Sequence, residues 1–148
     1  MIDIIIPAFN SQNTIEKTLL SICMQTYKDN VKVYIVDDYS DNTYDEIVKY
    51  FKSELNIFLF RLKENCGPGY ARQYGIEHSD SECIMFLDAD DCLYDCYAVE
   101  RLYNSIIGHD MVAGAMVDES IYGLETIVNH SGCLHGKMYS RAFLEKYG

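Results

Sequence analysis

Three aspartates lie within four residues at the end of an apolar segment: Asp88, Asp90 and Asp91. Carboxylates held this close repel one another, so a cation bound between them would stabilise the segment. Carboxylate oxygens suit the hard ions Mg²⁺ and Mn²⁺, and Mg²⁺ is usually bound by one or two protein carboxylates together with phosphate oxygens. The alternative is the acidic start of a helix, because aspartate is favoured near a helix N-terminus. The spacing alone leaves a metal site and a helix start equally open.

A second acidic segment, Asp37-Asp38-Tyr39-Ser40, follows another apolar run. A carboxylate there can accept a hydrogen bond from a nucleobase N–H or from a ribose hydroxyl. Aspartate also forms Asx turns and caps, and the residues from Ser40 to Thr43 are typical of a turn. On spacing alone, the turn is the more frequent explanation.

The segment from Gly67 to Arg72 interrupts the pattern between two further elements. It is not a dinucleotide fingerprint, since G-x-G-x-x-G fails at Arg72 and the segment follows the third strand and not the first. It does place Arg72 in the first turn of a helix, where the guanidinium could reach a nucleobase or a phosphate. The alternative role of Arg72 is a surface salt bridge to one of the many acidic residues.

The periodicity of apolar residues predicts the elements that carry these side chains. Strands are predicted over residues 2–6, 31–36, 57–62, 83–87 and 111–117, and helices over residues 15–22 (after a capping box with Asn13 as the cap), 44–51, 70–78, 94–107 and 140–147. Strands that alternate with helices predict an α/β fold, with a mostly parallel sheet flanked by helices on both faces. In such sheets ligands bind at the carboxyl ends of the strands, and each polar segment described above follows a strand, as does Phe9-Asn10. The sequence therefore predicts that these segments meet on one rim of the sheet.

The composition limits the classes of partner. The sequence has 148 residues, 49% of them hydrophobic, and a formal net charge of −11. The length and the hydrophobic content fit one globular domain. Nucleic acid and anionic membrane surfaces are disfavoured as partners, because both require a basic face. A phosphorylated ligand would need a cation to offset the acidic field.

The targeting and cysteine patterns predict a cytoplasmic location. The sequence contains no run of about 18 apolar residues, which a membrane span would require. Met1 is followed by a strand-like run and not by the basic region of a signal peptide. The six cysteines form no C-x-x-C pair, so a zinc site is not expected and the thiols are expected to be reduced.

Six segments, in order along the chain, resemble motifs of the family 2 glycosyltransferases, which have the GT-A fold. The segments are Ile4–Asn10, Thr14–Tyr27, Val36–Thr43, Asn65–Gly75, Phe86–Asp91 and Leu134–Leu144. The third resembles V-D-D-G-S-T-D-N-T with Tyr39 in place of the usual glycine, and the fifth resembles F-L-D-A-D-D. The resemblance covers essentially the whole chain, and an ordered set of matches leaves little room for chance.

The resemblance implies a nucleotide-sugar site formed by Pro7, Phe9, Asn10, Asp38, Gly67, Arg72, Asp88 and Ala89. Phe9 would pack near the base of a nucleoside diphosphate, and Asp38, supported by Arg72, would hydrogen-bond that base, commonly uracil. Asp88 would approach the ribose or the sugar, and Asp90 would ligate the metal, Mn²⁺ or Mg²⁺, that bridges the diphosphate. The implied reaction is an inverting transfer from a nucleotide sugar, commonly a UDP-sugar, to a hydroxyl of a glycan, protein or lipid acceptor.

The family's general base, usually the aspartate of a Glu-Asp pair after the H-G-K segment, has no counterpart in this sequence. Asp118-Glu119 is the only acidic pair nearby, and its order and position favour a loop after the fifth strand. The chain is therefore expected to be cut short, with residues 1–117 as the nucleotide-sugar-binding part and residues 118–148 as the incomplete start of an acceptor-side part. We expect binding of the donor and the metal but poor transfer.

Two questions stay open at the level of sequence. His135, in the H-G-K segment, could contact the diphosphate or the metal, or could have a structural role. The chain could also be a catalytically inactive nucleotide-sugar-binding fragment, or a scaffold that binds a partner and uses only the shell of the fold. Failure to bind any nucleoside diphosphate with Mn²⁺ would favour the scaffold.

Overall fold

The computed structural model describes residues 1–118, 126–128 and 136–147. The strands are β1 (Ile2–Ala8), β2 (Val31–Asp37), β3 (Asn56–Arg61), β4 (Cys83–Phe86), β5 (Met111–Ala113), β6 (Met116–Asp118), β7 (Thr126–Val128) and β8 (Lys137–Ser140). The helices are α1 (Ile15–Cys23), α2 (Asp45–Phe51), α3 (Pro68–Glu77), α4 (Ala98–Ile106) and α5 (Arg141–Tyr147). Through α4, strands and helices alternate in the predicted order.

Six strands form one sheet in the order β3-β2-β1-β4-β8-β5. The first four of these run parallel, whereas β8 is antiparallel to β4 and β5 is antiparallel to β8. The predicted α/β fold with a mostly parallel sheet is therefore confirmed. Strand β1 has a parallel neighbour on each side and is buried on both faces, which is why it is an almost unbroken apolar run.

The strands after α4 differ from the prediction. The predicted strand over residues 111–117 is interrupted at Gly114 and Ala115, so that β5 joins the main sheet while β6 pairs with β7. Strand β8 is not predicted at all. Its four residues include Lys137 and show no alternation, and its partner β4 lies far back in the chain, so local periodicity contains no sign of the pairing.

Two helix starts also differ. The capping box predicted at Asn13 is wrong: Thr14 is the N-cap, its hydroxyl donates to the carbonyl of Ser11 at 3.1 Å, and no side chain caps the first turn. Helix α4 begins at Ala98 and not at residue 94. The residues before it are held by the amide of Gln25, which donates to a backbone carbonyl there at 2.7 Å.

The core lies on both faces of the sheet. On one face Ile4 packs in a cluster with Leu19 and Ile22 of α1. On the other face α3 approaches β1 so closely that a methyl group on Gly75 would lie 2.5 Å from Cγ2 of Ile5. This contact fixes the position of α3 against the centre of the sheet.

The parallel register brings four strand ends to one edge. The N–H of Asp38 donates to the carbonyl of Ala8 at 2.8 Å, and the N–H of Leu62 donates to the carbonyl of Asp37 at 2.9 Å, so neighbouring strands end level with each other. The predicted common rim is therefore confirmed.

Within the described part of the chain, no helix has both the length and the apolar character needed to cross a membrane.

Candidate functional site

The buried carboxylate of Asp38 holds the loop between β3 and α3. Its Oδ1 accepts the N–H of Cys66 and its Oδ2 accepts the N–H of Gly67, both at 2.7 Å. Gly67 has φ +86°, a backbone conformation that suits glycine and few other residues. Each carboxylate oxygen can accept a further hydrogen bond, so Asp38 combines a fixed position with remaining acceptor capacity.

The turn that sequence reasoning favoured for this segment is made by the preceding aspartate. Asp37 Oδ1 accepts the N–H of Ser40 at 2.8 Å, and Asp37 Oδ2 lies 3.2 Å from Nη1 of Arg61. Nη2 of Arg61 donates to the carbonyl of Ser40 at 2.6 Å. Asp37 therefore forms the Asx-type turn, whereas the Asp38 carboxylate accepts hydrogen bonds from the loop between β3 and α3. Arg61 is missed by sequence reasoning, because a lone arginine at the end of a strand gives no signal.

The loops after β1 and β2 are tied to each other. Asn10 has φ +50°; its N–H donates to Ser40 Oγ at 2.9 Å, and its amide exchanges two hydrogen bonds with Asp41, at 2.9 and 3.1 Å. The neighbouring Phe9 is half exposed. Pro7 lies inside β1, beyond the last residue that pairs with β4, where a missing N–H is tolerated. These contacts fix the first loop while leaving the Phe9 ring accessible.

Arg72 lies beside Asp88 at the same rim. Because α3 begins at Pro68, Arg72 lies in the second helical turn and not in the first, one turn before Gly75. Its Nη2 donates to Asp88 Oδ1 at 2.5 Å, and both side chains are largely buried. Nε of Arg72 is buried without a hydrogen-bond partner among the described residues. The structure thus places the guanidinium on Asp88 rather than on Asp38, as a partly buried pair and not as a surface salt bridge.

The acidic run after β4 forms a turn. The N–H of Asp91 donates to the carbonyl of Asp88 at 3.1 Å, Ala89 is buried, and Asp90 is exposed. The next helix starts only at Ala98, so the alternative of an acidic helix start is wrong.

The acidic run is also the predicted metal site. Among the described residues, no three His, Cys, Asp or Glu side chains are gathered so as to hold a metal ion. The donor chemistry of Asp88 and Asp90 still fits Mg²⁺ or Mn²⁺, since such ions need only one or two protein carboxylates when phosphate oxygens supply the remaining ligands.

Helix α1 supports this turn from beneath through buried polar side chains. Thr18 Oγ1 donates to the carbonyl of Ala89 at 3.1 Å, and Ser21 Oγ accepts the N–H of Leu93 at 3.0 Å. The amide oxygen of Gln25 accepts the N–H of Val99 at 3.1 Å. Sequence reasoning missed Thr18, Ser21 and Gln25 as positioning residues. For Thr18 and Ser21 the available signal was their presence on the apolar face of an amphipathic helix, where a polar side chain needs a buried partner. Gln25 lies two residues beyond the end of α1.

Within the described part of the chain, five cysteines form no disulfide: Cys23, Cys66, Cys83, Cys92 and Cys96. Reduced cysteines therefore stay a prediction, and Cys133 lies outside the described residues. Cys66 is exposed in the loop that Asp38 holds. Desolvation, followed by the negative charges of Glu64 and Asp38, raises the pKa of the Cys66 thiol.

Some predicted positions fall outside the description. His135 lies outside the described residues, as does Glu119 of the acidic pair Asp118-Glu119. Of the H-G-K segment, Gly136 and Lys137 are described, and Lys137 is buried in β8 opposite Phe86.

Two surface hollows lie at the opposite, amino edge of the sheet, and neither is lined by a predicted site residue. The first is lined by residues around the 3-10 turn Lys28–Asn30 and the start of β3, and the second by residues of α3 and α5. The chemistry at the rim, and not the size of a hollow, therefore identifies the candidate site.

Comparison with known proteins matches residues 3–146 to the family described as Glycosyl transferase family 2. The glycosyltransferase GlyA of Streptococcus pneumoniae is 36% identical over 106 residues, which are 72% of this chain and 15% of that protein. A glycosyltransferase of Rickettsia conorii is 37% identical over 143 residues, 93% of this chain and 23% of its own length. The chain thus spans less than a quarter of the length of these relatives.

Solved structures share the fold. The crystal structure of Staphylococcus aureus TarS residues 1–349 in complex with UDP-GlcNAc matches with a TM-score of 0.76 and 25% identity, over 98% of this chain and 46% of that one. The mannosyltransferase PcManGT from Pyrobaculum calidifontis, in complex with GDP-Man and Mn²⁺, matches with a TM-score of 0.78 over 99% of this chain and 46% of its own. At 20% identity, this second likeness shows the fold alone. The predicted GT-A fold is confirmed.

Proposed function

Because the chain belongs to glycosyl transferase family 2, we propose that its rim binds a nucleoside diphosphate sugar, and specifically a UDP-sugar, for transfer to an acceptor hydroxyl. One observation carries the proposal: the Asp38 carboxylate and the Arg72–Asp88 pair are fixed on the same rim of a GT-A sheet. A scaffold that only bound a partner would gain nothing from gathering these charges at the carboxyl ends of its strands.

The base would be recognised between Phe9 and Asp38. The half-exposed ring of Phe9 offers an apolar face for stacking, and the Asp38 oxygens can each accept one more hydrogen bond, such as that of a uracil N–H. The UDP-GlcNAc complex of the related TarS supports uracil over other bases. Pro7, Asn10 and Gly67 would shape this end of the site.

The diphosphate and the sugar would lie toward the acidic turn, with Ala89 in its floor. Asp90, which is exposed, would hold a divalent ion, Mn²⁺ or Mg²⁺, and Asp88 would contact the ribose or the sugar while Arg72 orients it. When bound, the ion would neutralise the charge that develops on the β-phosphate as the bond to the sugar breaks. The Mn²⁺ complex of a protein with the same fold supports a divalent ion.

The chemical step follows from the leaving group. An acceptor hydroxyl would attack the anomeric carbon from the side opposite the diphosphate, the C–O bond to the β-phosphate would break, and the hydroxyl proton would pass to a carboxylate base. This inverting step is part of the proposal, as is a base outside the described residues. The carboxylates assigned above already have donor or metal roles, so we expect the 148-residue chain to bind the donor and to transfer poorly.

The division of labour and the location belong to the same proposal. Residues 1–117 would be the nucleotide-sugar-binding part, and residues 118–148 the start of an acceptor-side part that selects a glycan, protein or lipid. We include a cytoplasmic location in the proposal, and the cysteines that form no disulfide among the described residues support it.

The test is calorimetry with UDP, GDP and CDP, each with and without Mn²⁺, on the wild type and on Asp90→Ala. Asp29→Ala is a matched control, because Asp29 is an exposed carboxylate that lines a hollow at the opposite edge. We expect UDP binding that requires Mn²⁺ in the wild type and in Asp29→Ala, and that is lost in Asp90→Ala. Binding of no nucleotide under any condition would refute the proposal, and equal affinity of Asp90→Ala would refute its metal part.

A further inference from the structure

Among the described residues, only two that are not glycine have positive φ angles, and they stand on consecutive rim loops. Asn10 has φ +50° and Tyr39 has φ +66°. Asparagine tolerates this region, because its short side chain can form local hydrogen bonds, and here it does so with Asp41. A tyrosine has no such compensation of its own, so the left-handed conformation at residue 39 must be held by its surroundings.

The guanidinium of Arg61 contacts Tyr39 and the residues on both sides of the Asp38-Tyr39 pair. The guanidinium lies 5.7 Å from the centre of the Tyr39 ring, within the range of a cation–π contact. The same guanidinium donates to the carbonyl of Ser40 and pairs with the buried carboxylate of Asp37. One side chain thus contacts the residue before Asp38 and both residues after it.

The position of Arg61 connects its contacts with Asp37, Tyr39 and Ser40, here called the Arg61 clamp, to the loop that Asp38 holds. Arg61 is the last residue of β3, and the chain runs from it through Leu62 into the loop whose Cys66 and Gly67 amides donate to Asp38. The Arg61 clamp therefore joins two parts of the site. One is the turn after β2 that carries the Asp38 carboxylate, and the other is the end of β3, where the loop with Cys66 and Gly67 begins.

We propose that Arg61 is a positioning residue that holds Tyr39 in a glycine-like backbone conformation and thereby sets the Asp38 carboxylate for the nucleobase. The proposal deepens the proposed function and, for nucleotide affinity, rests on it. The proposal predicts that Arg61 affects the Asp38 loop only when residue 39 has a side chain. A glycine at residue 39 adopts the same φ unaided and should remove most of the need for the guanidinium.

The experiment is a double-substitution cycle with Arg61→Met, Tyr39→Gly and the combination of both. Arg61→Lys is included because it keeps the charge and loses the planar fork, so it should rescue only in part. Lys32→Met is the matched control, since it breaks an ion pair with Asp80 at the opposite end of β2. Two readouts are measured: hydrogen exchange of the Cys66 and Gly67 amides relative to the core amide of Ile4, and UDP affinity by calorimetry.

We expect Arg61→Met to speed exchange at Cys66 and Gly67 by about tenfold relative to Ile4, and to weaken UDP binding by about tenfold, as loss of a charge-assisted contact would. In the Tyr39→Gly background the same substitution should change either readout by less than about threefold. Lys32→Met should change neither.

Equal effects of Arg61→Met in both backgrounds, or no local change in exchange, would overturn the positioning role. The exchange readout needs no ligand. A chain that binds no UDP would therefore refute the proposed function, while the exchange data would still decide the role of Arg61. If Arg61→Met does not fold, Arg61→Lys in the two backgrounds gives the same comparison.

Discussion

The guanidinium of Arg72 donates a 2.5 Å hydrogen bond to the carboxylate of Asp88, and so joins α3 to the end of β4 at the rim. Both side chains are largely buried, so solvent screens their attraction less than it would screen a surface pair. The contact fixes one carboxylate of the acidic turn and leaves the exposed Asp90 as the carboxylate open to an ion. The first prediction tests this coupling.

Arg72→Met should lower the free energy of unfolding by about 1–3 kcal/mol, because Asp88 loses its guanidinium partner in a largely buried setting. The loss in the double variant Arg72→Met/Asp88→Asn should be smaller than the sum of the two single losses, since both charges are then gone. Urea unfolding of the four proteins measures the coupling. Losses that add within about 0.5 kcal/mol would show that the pair does not stabilise the rim.

Gly75→Ala should destabilise the protein by about 1–3 kcal/mol, because its methyl group would have to displace Ile5 or move α3 off β1. Gly69→Ala, on the same helix, is the control. No heavy atom lies within 4 Å of a methyl group there, so stability should stay equal or rise by about 0.5–1 kcal/mol. Thermal unfolding of both variants checks the opposite signs, and equal melting temperatures would contradict the close approach.

The position of the rim could be predicted from sequence, because it depends on local patterns. Apolar runs that end in Asp38 and in Asp88 mark strand ends, and parallel strands bring such ends to one edge. The resemblance to family motifs then suggested roles for these carboxylates. Neither source describes which atoms meet, and so Arg72 was expected near the base-binding carboxylate but lies on Asp88.

What could not be predicted depends on contacts between segments that are distant in sequence. Arg61 reaches the turn after β2 across the sheet, and Gln25 reaches the start of α4 from the segment that follows α1. Strand β8 pairs with β4, although most of the C-terminal half of the chain separates the two strands in sequence. Each is a tertiary contact, and no periodicity or spacing in the local sequence encodes its partner. The left-handed conformation of Tyr39 belongs to the same class, because its ring contacts Arg61, which lies on another strand.

The stability of the chain should fall as the medium is acidified. The hydrogen bond from Lys32, together with its charge, lowers the pKa of Asp80 below its ordinary value, and Lys28 does the same for Glu54. A carboxyl whose pKa is lower in the folded state stabilises it fully above the unfolded pKa, and loses that contribution as the pH falls through the folded pKa. The loss therefore begins near pH 4, and it should be small, because these groups are exposed.

The urea midpoint of the wild type, followed from neutral pH to about pH 3, should therefore decrease, and the decrease should be shallower in Asp80→Asn. Asp45→Asn is the control, since Asp45 has no ion pair within the described part of the chain. A profile of Asp80→Asn that runs parallel to that of the wild type would show that the Lys32–Asp80 pair adds nothing to the pH dependence.

Alkylation of Cys66 should report on the Asp38 loop. Desolvation and the charges of Glu64 and Asp38 raise the pKa of this thiol, so little thiolate is present at neutral pH and iodoacetamide should react slowly, with a rate that increases with pH. Asp38→Asn removes one of the negative charges and weakens the grip on the Cys66 amide, so the rate should rise. UDP with Mn²⁺ should lower it in the wild type, because the nucleotide would lie over the same loop.

Mass spectrometry can follow Cys66 and Cys23 in the same sample, and Cys23 serves as the reference because it lies at the far end of α1, away from the rim. Protection that is confined to Cys66, and absent in Asp38→Asn, places the nucleotide at this loop. Equal protection of both thiols would indicate a general tightening of the fold instead. An unchanged rate at Cys66 under saturating UDP and Mn²⁺ would place the nucleotide elsewhere, since a base bound to Asp38 has to pass within reach of the loop that the same carboxylate holds.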